Sequence, residues 1–278
     1  MTAPPPAVTT AAPPGRPAPP AAWPFAVRQL RFWLTDYRRT WRGSVVSTLL
    51  SPLLYLGAMG LGLGTLVNKH GTAHLGGVSY LIFLAPGLLA AQAMGNAVGE
   101  STYPVYGSVK WNKTYQAAVA APLRPADLMH GHLMFVALKL TMASGVFLAV
   151  AAAFGALTSP LAIAALPVAV LTGLAFAAPV EAWTVTRSRD TSLAVVYRFG
   201  MIPLFLFSGT FFPVTQLPVW IRPVAYVTPL WHGVALCRAL CLGTATLPGA
   251  LLHVAYLAVV LAAGIWAGNR TYRRRLYV

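Results

Sequence analysis

Five long stretches of this chain contain no Asp, Glu, Lys or Arg: residues 43–67, 75–99, 140–180, 199–221 and 239–269. About 20 consecutive apolar residues are enough for a helix to cross a bilayer core. Water is absent there, so a crossing segment must satisfy its own backbone hydrogen bonds. These runs therefore predict spanning helices. Composition agrees. Hydrophobic residues make up 57% of the chain and charged residues 9%, against about 25% charged in an ordinary soluble domain. A wholly soluble enzyme is excluded, and so is disorder over the bulk of the chain, which needs low hydrophobicity.

The run at 140–180 is too long for one span, and Thr158-Ser159-Pro160 breaks it in two. The reading is then an all-α polytopic membrane protein with six spans near 44–67, 80–102, 131–155, 160–183, 194–212 and 247–268. With the N-terminus inside, sixteen of the twenty basic residues fall in inner segments. Three (Lys69, Arg222 and Arg238) fall in outer segments, and Lys139 lies within a span. The positive-inside bias predicts cytoplasmic N- and C-termini for a multi-pass protein, and the alanine-rich, Arg-over-Lys composition points to a bacterial inner membrane. The net charge of +15 is explained by that bias and by the anionic leaflet, with no nucleic acid involved.

Residues 1–24 hold nine prolines and read as a disordered cytoplasmic Pro/Ala-rich tail. The transmembrane domain is expected over 25–270, with a basic cytoplasmic C-terminus at 271–278. Val27, Leu30, Leu34, Tyr37 and Trp41 repeat at helical spacing among arginines. They predict an N-terminal amphipathic helix in the membrane interface, anchored by Trp33 and Trp41. The inner connection at 103–130 contains a short, aromatic, basic segment with Trp111, Lys113, Tyr115 and Gln116, and reads as an interfacial helix. The outer connection at 213–247 has two apolar pieces, 219–227 and 230–242, too short to cross. With Pro213, Pro218, Trp220, Pro229 and Trp231, it reads as re-entrant half-helices between spans five and six.

Chemistry-bearing constellations are sparse. The five acids are Asp36, Glu100, Asp127, Glu181 and Asp190, none paired as in a hydrolase. His130 and His132 read as interfacial polar residues, His232 and His253 as bundle histidines, and Cys237 and Cys241 as small packing residues. The glycines at 57, 60, 62, 64, 95 and 99 suit close helix approach rather than a phosphate loop, since no Gly-Lys-Ser/Thr follows. Lys139, with Glu100 and Glu181 ending spans two and four on the same side, is the exception, because ionisable groups in spans are costly. An intramembrane ion pair, a cargo contact and a proton relay are the three readings, and a relay needs more than one deep acid.

Several segments carry a family resemblance. They are Ser51-Pro52-Leu53-Leu54-Tyr55-Leu56 with Gly60-Leu61-Gly62-Leu63-Gly64, and the run from Gly77 through Tyr80 to Pro86-Gly87. Trp111, Tyr115 and Pro122-Leu123-Arg124-Pro125-Ala126-Asp127 follow, then Leu171-Thr172-Gly173-Leu174-Ala175-Phe176. The fullest match is Phe207-Ser208-Gly209-Thr210-Phe211-Phe212-Pro213-Val214 with Gln216-Leu217-Pro218, Pro229-Leu230 and His232-Gly233. In this order they resemble ABC-2 type permeases, in particular nodulation-factor lipo-oligosaccharide exporters and daunorubicin-resistance drug exporters. The resemblance implies a six-helix permease that pairs as a homodimer or with a similar permease. By the same resemblance it would bind a separate ABC ATPase through a coupling helix and export an amphiphilic cargo (lipid-linked saccharide, lipid or hydrophobic drug). Trp111, Lys113, Tyr115 and Gln116 would then couple to the ATPase. This chain has no Walker A sequence, so it would hold no cofactor, and ATP and Mg would bind the partner. The alternative is a proton-coupled secondary transporter, a class that shows inverted repeats and midplane acids; neither is evident here. A membrane enzyme lacks a catalytic set, and a scaffold would not need the outer element.

Overall fold

The computed structural model describes residues 23–69, 71–120 and 123–276. The tail reading at 1–24 lies outside the described residues except for Trp23 and Pro24, which open the first helix. The described residues are almost wholly helical and contain no strand. Among the described residues six helices are long and apolar enough to cross a membrane: Thr48–Lys69, Tyr80–Lys110, Pro125–Ala153, Pro160–Thr184, Asp190–Phe207 and Leu247–Leu276. This is a multi-pass membrane protein.

Helix α1 (Trp23–Tyr55) runs through a π-helical stretch, Leu56–Leu63, into α2 (Gly64–Lys69). The amphipathic segment is helical, as its spacing predicts, but it continues into the first span without a break. Only Gly43 separates the two, and one glycine lowers helix stability by about 1 kcal/mol without ending the helix. Its buried face also differs from the expected one. Phe25, Ala26, Gln29 and Trp33 are buried, and the Trp33 ring stacks on Phe135 at 5.6 Å. Trp33 is thus a packing residue and not an interface anchor, whereas Trp41 stays exposed.

Span two, α3 (Tyr80–Ser101), ends where Pro104 removes a backbone donor, and α4 (Tyr103–Lys110) turns away at Thr102. A seven-residue helix, α5 (Thr114–Ala120), leads to α6 (Pro125–Ala153). Asp127 caps α6 by accepting from the Arg124 amide. Gly155, at φ 68°, takes the left-handed backbone that glycine adopts without steric cost. It ends α6 before a 3₁₀ turn leads into α7 (Ala165–Thr184). Span five is α8 (Leu193–Val195), a π turn and α9 (Ile202–Phe207). It stops at Phe207, so residues 208–212 belong to the following connection. That connection holds α10 (Arg222–Val227) and α11 (Pro229–Leu242). Helix α12 (Leu247–Leu276) carries the last span and continues through Arg270 and Arg273–Arg275.

The core sits around α7, which packs on α3, α6, α11 and α12. Small residues set those distances. A Cβ at Gly264 would lie 2.6 Å from Pro179 Cδ, and one at Gly173 would lie 3.0 Å from the Ala93 carbonyl. Of the glycines singled out by sequence, Gly60 approaches a neighbour, Leu81, while Gly57 and Gly99 face open space. Spans one and five leave wide apolar faces exposed, including Val46, Leu54, Phe199 and Ile202.

A crevice between three helices and a short connecting helix

Three helices enclose two adjoining cavities of about 150 and 290 Å³. Helix α3 contributes Gln92, Asn96 and Glu100, spaced four apart and hence on one face. Helix α6 contributes Lys139 and Ser144, and α1 contributes Thr48 and Ser51. Thr48, Asn96 and Ala143 line both cavities, which makes them one crevice. Its remaining wall is apolar, with Leu49, Val146 and Phe147. Gln92 and Asn96 went unnoticed in the sequence because neutral amides do not interrupt a charge-free run. Their i, i+4, i+8 register with Glu100 is the signal that would have found them.

Lys139 Nζ donates to the Glu100 carboxylate at one end of this crevice, with both side chains about one-quarter exposed (25% and 23%). The ammonium also lies 5.4 Å from the Tyr37 ring centre and 5.6 Å from that of Phe135. Lys139→Met leaves Glu100 unpaired, at an expected loss of ~1–3 kcal/mol, the penalty for a polar group left without its partner. Membrane abundance should fall in Lys139→Glu and recover when Glu100→Lys is added. Recovery with Glu181→Lys instead would contradict the pairing.

Glu181 lies elsewhere. It is fully buried, accepts from the Tyr272 hydroxyl at 2.5 Å and faces His132 Nδ1 at 3.3 Å. His132 is therefore not an interfacial residue; it sits under Trp33, ring centres 4.6 Å apart.

The coupling candidates divide in two. Trp111 is 59% exposed and meets Tyr106 edge-on at 5.4 Å. Lys113 is exposed with φ 51°, a left-handed conformation that costs a non-glycine residue about 1–2 kcal/mol. Gln116, also exposed, donates to the Val109 carbonyl at 2.7 Å and fixes α5 to α4. Tyr115 faces inward, is 1% exposed and packs on Tyr272 at 5.9 Å. Burial, with the nearby Glu181 charge, raises the Tyr115 pKa well above the ordinary tyrosine value, so its hydroxyl stays protonated.

At the far end of the bundle, Pro213 precedes a 3₁₀ turn, Val214–Gln216, and Pro218 lies between that turn and α10. Trp220 is 77% exposed. Pro229 opens α11, where the Thr228 hydroxyl accepts from the Trp231 amide. Trp231 meets Tyr226 edge-on at 4.8 Å. At roughly 21 Å by helix rise, α11 is too short to span, yet Leu230, Val234, Leu236, Cys237 and Cys241 are buried. His232 and His253 are paired through their Nδ1 atoms at 2.8 Å. The charge count puts Arg238 in an outer segment. The structure turns its guanidinium inward, donating to the carbonyls of Phe83 and Gly209 and lying 3.8 Å from the Phe83 ring centre. It ties the Ser208-Gly209-Thr210 turn to α3.

The model of the ABC-2 type transporter family matches residues 30–242, from α1 to the end of α11. The chain belongs to the ABC-2 type transporter family. The match takes in the crevice, α5 and the far connection, so all three are parts of an ABC-2 transport subunit. Relatives of this ABC-2 chain include Nodulation protein J of Rhizobium leguminosarum bv. trifolii, 32% identical over 251 residues, 88% of this chain and 94% of that protein. Nodulation protein J of Rhizobium meliloti (strain 1021) is 30% identical over 251 residues, with the same coverage. That of Bradyrhizobium diazoefficiens is 30% identical over 253 residues, 88% of this chain and 94% of that protein.

Proposed function

We propose that this chain is the permease subunit of an ATP-driven exporter that moves an amphiphilic cargo out of the cytoplasm or inner leaflet. The observation that carries the reading is the polar ladder Gln92–Asn96–Glu100, which lines a crevice beside the largely exposed first span. Hydrogen-bonding groups in a span are costly unless they serve a ligand or a partner. A head rich in hydroxyls or charges would sit on the ladder, and an apolar tail on Leu49, Val146 and Phe147. The lipo-oligosaccharide and drug exporters that the sequence resembles support this cargo class.

Energy would come from a separate ABC ATPase that holds ATP and Mg and docks on α5 and the turn before it, at Trp111, Lys113 and Gln116. The basic asymmetry supports an inner-membrane orientation with both termini cytoplasmic. The exposed faces of spans one and five suit a second copy or a similar permease. The expected result for Gln92→Leu/Asn96→Leu is unchanged membrane abundance, because the ladder lines a cavity and not a packed seam, with export of a fluorescent amphiphile reduced tenfold or more, about the loss expected for one or two buried hydrogen bonds. Wild-type export by this variant would reject the crevice as the cargo site.

A further inference from the structure

The cluster around Glu181 belongs neither to the crevice nor to the far connection, yet five elements meet there. Tyr115 enters from α5, Tyr272 from α12, Glu181 from α7, His132 from α6 and Trp33 from α1. We propose that this cluster is the joint through which a displacement of α5 reaches the spans, with Tyr272 and Glu181 as positioning residues. The inference rests on the reading of α5 as the element that meets the ATPase.

The geometry gives a displaced α5 this route inward. The helix has seven residues, and Tyr115 is its one fully buried side chain. A push on α5 therefore enters the bundle at the Tyr115 ring, against Tyr272 at 5.9 Å. Tyr272 is itself fully buried, and its hydroxyl carries the contact onward by donating to Glu181 at 2.5 Å. The other Glu181 oxygen faces His132 at 3.3 Å, and His132 lies under Trp33 at 4.6 Å. The frame around the joint is stiff. A Cβ at Gly131, beside His132, would lie 2.6 Å from the Ala26 carbonyl, and one at Gly264 would lie 2.7 Å from the Pro179 nitrogen. Backbones packed this closely pass a shift on rather than absorb it.

The cluster also has capacity for a second arrangement. His132 Nδ1 and Glu181 Oε2 stand 3.3 Å apart without forming an aligned hydrogen bond, and His132 Nε2 is buried with no partner in this conformation. Unmet buried polar groups favour any nearby arrangement that pairs them. His132 needs only to realign on Oε2, and Tyr115 lies beside Tyr272. A cluster with two such arrangements is the kind of element that converts a small shift into a change of state.

Tyr272→Phe tests the joint, since it deletes one O–H and keeps the ring against Tyr115. Membrane abundance and co-purification of the ATPase should stay at wild-type level. Cargo moved per ATP hydrolysed should fall roughly five- to tenfold, the range of a modest coupling energy. Glu181→Gln retains an acceptor for Tyr272, so it should lose less than Tyr272→Phe. A wild-type transport-to-ATP ratio in Tyr272→Phe would overturn the proposal, because a packing role has no need of the hydroxyl. Failure of the broader reading looks different: the wild-type complex itself would show no ATP-dependent movement of cargo. The joint is then judged on the purified chain by hydrogen exchange. Faster exchange at both α5 and the Trp33 region of α1 in Tyr272→Phe supports it, and unchanged exchange at either overturns it.

Discussion

Trp111→Ala is expected to abolish co-purification of the partner ATPase while leaving membrane abundance at wild-type level; Tyr115→Ala is expected to lower abundance itself. The two residues are four apart in one short segment, and sequence alone assigns them the same role. The structure separates them. Trp111 is 59% exposed and Tyr115 1% exposed. Removing the Trp111 ring costs one edge contact with Tyr106 and otherwise takes away surface that a docked protein would cover. Aromatic anchors at an interface centre commonly cost 2 kcal/mol or more when truncated, about thirtyfold in affinity. Removing the Tyr115 ring instead opens a cavity beside Tyr272 and Glu181, and large-to-alanine changes at such sites cost about 3–5 kcal/mol. The measurement is blotting of the membrane fraction alongside pull-down of the ATPase. Equal abundance but lost pull-down for both variants would show that Tyr115 also meets the partner. Intact pull-down with Trp111→Ala would remove α5 as the docking element.

The second large effect concerns packing. Gly264→Leu should strip the folded chain from the membrane, whereas Gly57→Leu should be nearly silent. Both glycines lie in apolar spans, so hydropathy does not distinguish them. Their surroundings do. A Cβ at Gly264 would be 2.6 Å from Pro179 Cδ and 2.8 Å from Ala178 Cβ, and one at Gly57 would meet nothing within 4 Å. Forcing α12 away from α7 is an overpacking error, of order 1–3 kcal/mol for each added group that cannot relax. It also spreads the helices that carry Tyr272 and Glu181. Thermal denaturation of the detergent-purified variants reads both effects. A stable Gly264→Leu variant would contradict the α7–α12 packing, and a Gly57→Leu loss would reveal a partner on the exposed face of span one.

What the sequence made legible, and what it hid, follows from one dimension against three. Span count needed only run length and one break, and Thr158-Ser159-Pro160 marked the break where Gly155 ends α6. The helical spacing of 25–42 was equally readable. Its continuity with span one was not, because a lone glycine gives no boundary and the reading required one. Depth along a helix was legible for Glu100 and Glu181, which fall near the C-terminal ends of α3 and α7, while Lys139 sits midway along α6. Direction around the helix was not. Glu100 meets Lys139, while Glu181 turns into a different seam and finds His132 and Tyr272, both far away in sequence. The Gln92–Asn96 ladder was hidden by its neutrality, and the inward turn of Arg238 by the habit of assigning a charge in a connection to solvent. The glycines were legible as a class, but only the structure shows which of them face another helix.

The central claim is that ATP hydrolysed by a partner drives an amphiphile across the membrane through this subunit. The direct test is co-reconstitution of the chain with its co-purified ATPase in lipid vesicles carrying a fluorescent amphiphile, with the transmembrane pH gradient set independently. The account predicts movement that needs Mg-ATP, continues when the gradient is collapsed, and is lost in Gln92→Leu/Asn96→Leu. Movement by the chain alone, without ATP and following an imposed pH gradient, would contradict it and identify a proton-coupled carrier instead.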